Sequence, residues 1–341
     1  MVARNHHHVV RMAASVSSTP EATTMKKMRN PVSLLWRFSR PHTLIGTTLS
    51  VPAVSLLAAP TFASALTGQF WSCAMGALVP ALLVNVFITG LNQVCDADID
   101  RINKPTLPIA AGELSEREGL VVCFGCLALA LASAIPVAST PLVGVLAGSA
   151  LLGAAYSAPP LRLKRWPLLA ALSIVAVRGA LVNVCFFLHA RAHAFSDLGR
   201  SAAEAHLGVV VAFFALFGVG IALLKDVPDT AGDERFDIPT LSTKIGRTAV
   251  FNGASALITA LLAAASAAFG WAAAFAAITT KTASIALASR LLAATTFAAL
   301  AISSFQAAKN TNPDRDQPVT VYYMLIWKIF YLSYALLPLL R

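Results

Sequence analysis

The chain has 341 residues, 57% of them hydrophobic and only 12% charged, with a net charge of +10 and a mean hydropathy of +0.70. A soluble domain carries about 25% charged residues, so a water-soluble globular fold is excluded. The apolar residues come in runs of roughly twenty, the length a helix needs to cross about 30 Å of hydrocarbon. The alternating short segments of a β-barrel do not occur. The pattern predicts an all-α integral membrane protein: nine transmembrane helices around a central cavity.

Residues 1–36 form a basic segment ahead of a membrane domain at 37–341; residues 1–40 hold seven Lys/Arg against one Glu. The segment is rich in Ser, Thr and Ala and has no apolar h-region, the composition of an organelle transit peptide rather than a secretory signal. A disordered basic tail at a membrane face is the other reading. No nucleic-acid partner is expected, and His6-His7-His8 is too short to argue a metal site.

The predicted spans are 43–62, 70–93, 118–137, 141–157, 168–189, 207–224, 248–269, 284–304 and 320–339, with 270–283 either prolonging the seventh or lying at the interface. If the N-terminal arm lies on one side, that side's loops carry 19 Lys/Arg and the other side carries 4 (Arg191, Arg200, Lys281, Arg341), as the positive-inside rule requires. Cys123-Phe-Gly-Cys126 lies within an apolar run, so its cysteines read as small packing residues rather than as ligands.

Two acidic clusters end long apolar runs on the basic side. The first is Asn92-Gln-Val-Cys-Asp96-Ala-Asp98-Ile-Asp100. The second runs from Lys225-Asp226 through Asp229 and Asp233 to Asp237. Together they hold eight of the 16 acids in the chain, and Asn92, Asp96 and Asp100 match Lys225, Asp229 and Asp233 at a constant offset of 133. Four spans separate the copies, which suggests a parallel internal pseudo-repeat. Residues four apart share a helix face, so Asn92, Asp96, Asp100 and Lys104 form one stripe and Asp226, Asp229, Asp233 and Asp237 another; Asp98 points away. Acids in an oily chain are a functional hypothesis by default. Facing carboxylates require cations, and hard oxygen ligands suit Mg²⁺ bridged to substrate phosphates. Two such clusters suggest metal ions clamping one diphosphate, with Asn92 and Lys225 completing the contacts. Lone DxxxD pairs are ordinarily solvated loop charges; two matched copies on one face argue otherwise.

The basic loop Tyr156-Ser-Ala-Pro-Pro-Leu-Arg162-Leu-Lys164-Arg165 offers Arg162 or Lys164 to a diphosphate, with Arg165 a membrane anchor. Arg178 interrupts an apolar run, where a charge needs a partner; it either holds an anionic substrate or pairs with an aspartate. Arg40 and His42 head the first span, where His42 either touches substrate or is a satisfied interfacial histidine. A transporter using the acids as an ion site is the reading from a different class, but transporter sites lie near the bilayer midplane.

These residues resemble the UbiA-type intramembrane prenyltransferases, and within them the plastid and cyanobacterial homogentisate prenyltransferases. The likeness is carried by Arg40-Pro-His-Thr-Leu-Ile-Gly-Thr, Asn92-Gln, Asn103-Lys-Pro, Val177-Arg178-Gly, Phe187-Leu-His189, the run Lys225 to Phe236, and Tyr322-Tyr-Met-Leu-Ile-Trp327-Lys-Ile-Phe-Tyr331. The resemblance implies Mg²⁺-dependent transfer of a prenyl group, phytyl first and geranylgeranyl or solanesyl as alternatives, to homogentisate with loss of its carboxylate, with another aromatic acceptor as the remaining alternative. It implies a plastid membrane and tocopherol (vitamin E) biosynthesis. Asp96, Asp100, Asp229 and Asp233 would hold the metal ions, and Asn92 and Lys225 the diphosphate. Arg40, His42, Lys104, Tyr156, Arg162, Lys164, Arg178 and Asp226 would line the substrate site, with Arg178 the candidate for the acceptor carboxylate. Asp98 and Asp237 depart from the group's pattern.

Overall fold

A computed structural model describes residues 30–61, 63–196, 204, 206–280 and 285–340. The arm at 1–29, His6 to His8 within it, and Arg200, Lys281 and Arg341 lie outside the described residues. Every regular element among them is helical. The long helices are α2 (Pro41–Leu57), α3 (Gly68–Cys95), α5 (Glu116–Ala134), α6 (Thr140–Ser157), α9 (Leu207–Asp226), α12 (Arg247–Thr280), α13 (Ile285–Lys309) and α14 (Asp316–Leu336), with α7 (Pro167–Ile174) and α8 (Val182–His193) joined by a π-helical turn at Val175–Leu181. Short helices fill the joints: α1 (Pro31–Phe38), α4 (Ala97–Asn103), α10 (Thr230–Arg235) and α11 (Leu241–Ile245).

Among the described residues eight helical segments are long and apolar enough to cross a membrane. The ninth expected span is α2, which at 17 residues is shorter than the 43–62 predicted for it. The uncertain stretch at 270–283 prolongs the seventh span, since α12 continues to Thr280. Side-chain oxygens cap the polar ends: Thr67 accepts from Phe70 N–H, Ser139 from Leu142 N–H, and Ser115 with Glu118 closes a capping box, so orphan donors of the first turn are satisfied.

Packing follows small residues. A Cβ on Gly179 would lie 2.6 Å from Ala215 Cα, so the π turn and α9 meet backbone to backbone, as small-residue contacts allow in lipid. Phe214 stacks on Tyr334 at 3.8 Å between centroids, and Phe217 and Phe330 extend this aromatic core. The outer surface exposes Val121, Leu151 and Ile278, a face that suits lipid rather than water. Gly179→Val forces α9 away from the π turn, an overpacking that costs about 1–3 kcal/mol. A lowered thermal midpoint of the variant in detergent is the expected outcome, and an unchanged midpoint would contradict this packing.

Candidate active site

Each acidic cluster sits where a long apolar helix gives way to a short one, α3 to α4 and α9 to α10. The first stripe survives a break in the backbone. Asp96 leaves helical geometry (φ −114°, ψ 14°), yet Asp96 N–H still donates to Asn92 O, Asp100 N–H to Asp96 O, and Lys104 N–H to Asp100 O. The second stripe is shorter than the spacing predicted. Helix α10 ends at Arg235, and Asp237 is exposed in the left-handed region at φ 50°. Asp237 therefore does not continue the stripe, because the chain turns before reaching it. Asp98 faces out and pairs with Arg101.

The two joints meet. Gly232 N–H donates to Asn103 Oδ1 at 3.0 Å, and a Cβ on Gly232 would lie 2.3 Å from that oxygen. The pocket between them is lined by Arg40, Asn92, Asp96, Asp100, Lys104, Tyr156, Lys164, Lys225, Asp226, Asp229 and Asp233. Eleven of the fourteen candidate residues thus converge on one polar pocket. Arg162 stays outside its lining but reaches Asp96, with Nη2 3.1 Å from Oδ1. His42 and Arg178 line an adjoining apolar cavity of about 240 Å³ instead. The two spaces share Arg40, Asn92, Tyr156 and Lys225 as a common wall.

Asp96, Asp100 and Asp229 each meet a cation from another part of the chain. Lys164 hydrogen-bonds Asp96, and Asn92 Nδ2 donates to Asp96 Oδ2 at 2.8 Å. Lys104 hydrogen-bonds Asp229 and lies 3.9 Å from Asp100 Oδ1, with Arg40 Nη2 3.9 Å from Asp100 Oδ2. Lys225 pairs with its neighbour Asp226 at 2.9 Å. Arg40 and Arg162 are two of three non-glycine residues with positive φ among the described residues, at 52° and 38°. Such backbone costs about 1–3 kcal/mol and gathers at functional sites; here it aims two guanidinium groups at two carboxylates.

Charge in the pocket is unevenly compensated. Burial would raise the Asp229 carboxyl, but Lys104 and Lys225 beside it hold it below its ordinary value. Burial pushes Asp100 up despite Lys104 and Arg40, and its buried Oδ2 accepts no hydrogen bond. Burial, with Asp226 and Asp229 nearby, pushes Asp233 up to about 7. Burial also lowers the Lys164 ammonium in spite of Asp96. Among the described residues no three His, Cys, Asp or Glu side chains form a ready cation cage, since lysines stand between the acids. The oxygen donors and the under-compensated Asp100 and Asp233 nonetheless fit Mg²⁺, which needs only one or two carboxylates beside phosphate oxygens.

The sequence reading missed Asn103 as the tie between the clusters, although Asn103-Lys-Pro frames the first motif. It also missed Ser157, whose Oγ accepts from Asn92 Nδ2 at 3.3 Å, and Asn85, whose Nδ2 donates to Thr47 Oγ1 at 2.8 Å and whose Oδ1 accepts from Thr43 Oγ1 at 2.9 Å. An isolated Ser or Asn in an apolar run carries no spacing signal.

An acid whose folded pKa is raised stabilises the fold only while protonated. The contribution of Asp233 is therefore complete below about pH 4, its unfolded range, and lost as pH rises through about 7. In metal-free protein the melting temperature is expected to fall across this window, and Asp233→Asn to flatten the fall. Parallel pH profiles for the two proteins would contradict the assignment.

The chain is 36% identical over 339 residues to homogentisate phytyltransferase 1, chloroplastic, of Arabidopsis thaliana, covering 96% of this chain and 81% of that one. It is 39% identical over 312 residues to the homogentisate phytyltransferase of Synechocystis sp., covering 90% and 95%. A solved UbiA homolog from Archaeoglobus fulgidus bound to GPP and Mg²⁺ shares the fold at 18% identity and a TM-score of 0.56, over 89% of this chain and 99% of that one. The UbiA prenyltransferase family model matches residues 48–329, and the chain belongs to that family.

Proposed function

We propose that this protein transfers a phytyl group from its diphosphate to homogentisate in a plastid membrane, with loss of the acceptor carboxylate. The observation that carries the reading is the common wall: a pocket built for a polyanion opens onto an apolar cavity through Arg40, Asn92, Tyr156 and Lys225. A prenyl diphosphate has those two ends. The homogentisate phytyltransferases matched over most of the chain support the acceptor, and the chloroplastic relative supports the location.

In this reading Lys225, Lys164 and Arg40 hold the diphosphate, and Asn92 orients it while fixing Asp96. Mg²⁺, held by Asp96, Asp100, Asp229 and Asp233, would supply positive charge that favours diphosphate departure. The allylic C–O bond breaks and its electron pair leaves with the diphosphate. A ring carbon of the acceptor forms the new C–C bond and gives up its proton. The carboxylate leaves as carbon dioxide, and the methylene carbon takes up a proton to become a methyl group. Apolar walls such as Val145, Leu146 and Phe186 keep water from the allylic centre.

The deciding experiment incubates purified protein and Mg²⁺ with a panel of phytyl, geranylgeranyl and solanesyl diphosphates against homogentisate and other phenols, with products identified by mass. Prenylated methylhydroquinone from the phytyl donor is expected; transfer to none of the phenols would sink the reading. Asp96→Ala and Asp229→Ala should each lower turnover by about 100-fold or more, the scale of losing electrostatic stabilisation of a leaving group, while the protein still elutes as a folded species. Gly232→Val separates the two joints and should lower turnover at least about tenfold, because misplacement by about 1 Å costs on the order of 100-fold. Full activity in that variant would show that the Asn103 tie is dispensable.

A further inference from the structure

Arg178 is the one candidate cation that the polar pocket does not use. It projects from the π-helical turn Val175–Leu181 into the apolar cavity. Among the described residues no carboxylate lies within 4.0 Å of it; the cluster acids pair with Arg40, Lys104, Arg162, Lys164 and Lys225. The aspartate partner considered from the sequence is therefore not there. A guanidinium in an apolar wall is costly without one. Its compensation is the face of Trp327, whose ring centroid lies 5.1 Å from Arg178 Cζ, and a cation–π contact offsets only part of that cost.

The position is built. A π turn leaves helix carbonyls to find other donors, and such turns gather at functional sites. Asn183, fully buried, donates Nδ2 to Arg178 O and to Gly179 O, both at 2.9 Å. Tyr334 Oη donates in turn to Asn183 Oδ1 at 3.1 Å. On the facing helix α2, Gly46 leaves the space open: a Cβ there would lie 3.3 Å from Trp327 and 3.6 Å from Arg178 Nη1. The ring of His42 meets Trp327 edge-on at 5.2 Å.

Resting on the transferase reading above, we propose that Arg178 and Trp327 form the acceptor subsite, with the guanidinium holding the acceptor's carboxylate and the indole packing on its ring. The ligand is a second anion, distinct from the diphosphate, because the polar pocket has its own cations and Arg178 is not among its walls. It is aromatic, because the guanidinium lies over the ring of Trp327, which is itself flanked by the rings of His42 and Tyr323. The shared wall sets this ring beside the prenyl end of a donor held in the polar pocket. Asn183 and Tyr334 are positioning residues that act through the backbone of Arg178.

The test is calorimetric titration of the full-length protein in detergent, with Mg²⁺ and inorganic pyrophosphate present. The probes are homogentisate and methylhydroquinone, the same ring with a methyl group in place of the carboxymethyl group. Wild-type protein should prefer homogentisate by about tenfold or more, the scale of one charge-assisted hydrogen bond. Arg178→Gln should erase that preference and leave methylhydroquinone binding in place, and Arg178→Lys should keep part of it. Gly46→Val, which fills the space and keeps the charge, should weaken both probes alike. Binding of phytyl diphosphate to every variant serves as the folding control. Equal homogentisate affinity in wild type and Arg178→Gln overturns the subsite, as does failure of wild type to bind homogentisate. Transfer assays on the same preparations separate the two ideas. Turnover of homogentisate with affinity unchanged in Arg178→Gln ends the subsite and leaves the transferase. A binding preference lost in that variant, with no transfer by wild type, ends the transferase and leaves the subsite.

Discussion

The structure depends on one electrostatic constraint: carboxylates buried at the end of an apolar bundle need compensating charge, and most of it comes from other elements. Asp96 at the end of α3 is held by Arg162 and Lys164 from the loop after α6. Asp229 beside α10 is held by Lys104 from the end of α4. Removing one partner of such a pair strands a buried charge and costs about 3–5 kcal/mol. These pairs bind three inter-helix connections into a plate across one end of the bundle. The Asn103–Gly232 hydrogen bond adds a neutral tie that needs no counter-charge. A Cβ at position 232 would force the Asn103 amide out of this bond, so glycine keeps the tie.

The same constraint creates reactivity, because the compensation is incomplete. Asp100 has Arg40 and Lys104 only at 3.9 Å, and no cation is paired with Asp233 among the described ion pairs. Lysines hold the acids apart, and their ammonium groups are also the donors a diphosphate requires. A polyanion arriving with divalent cations satisfies both sets at once: the acids gain cations and the lysines gain phosphate oxygens. A pocket balanced by its own lysines stays folded between substrates, and the exchange of partners makes binding depend on both charges of the incoming pair. The hydrophobic helices do the complementary work by excluding water beside the charged plate.

Much of this was legible in the sequence. Span lengths, the basic side and the paired clusters follow from composition and a repeated spacing, because hydrocarbon thickness and helical periodicity act locally. Asp98 points away from the stripe on spacing alone, and it is exposed beside Arg101. The errors arise where the backbone departs from a continuous helix. A stripe of fours assumes an unbroken α-helix through Asp237, but the chain ends α10 at Arg235 and turns through a positive φ. Asn103, Ser157 and Asn85 act only through partners 38 or more residues away, and nothing in their immediate neighbours signals it.

Arg178 shows where sequence reasoning ends and geometry takes over. A charge in an apolar run announces that something must compensate it, but the run itself leaves both a substrate anion and an aspartate open. Among the described residues no carboxylate lies within 4.0 Å of Arg178, so the aspartate is excluded by distance. On the proposed reading the fold separates two anion-binding functions that composition alone would merge into one basic site. One lies at the polar end among lysines and aspartates, where strongly hydrated phosphate oxygens and metal ions belong. The other lies in the apolar cavity, where a planar, weakly hydrated guanidinium against an indole suits a carboxylate on an aromatic body. An arginine serves that second position and a lysine does not serve it equally, because the compact ammonium loses more hydration there and lacks a flat face to lay on Trp327.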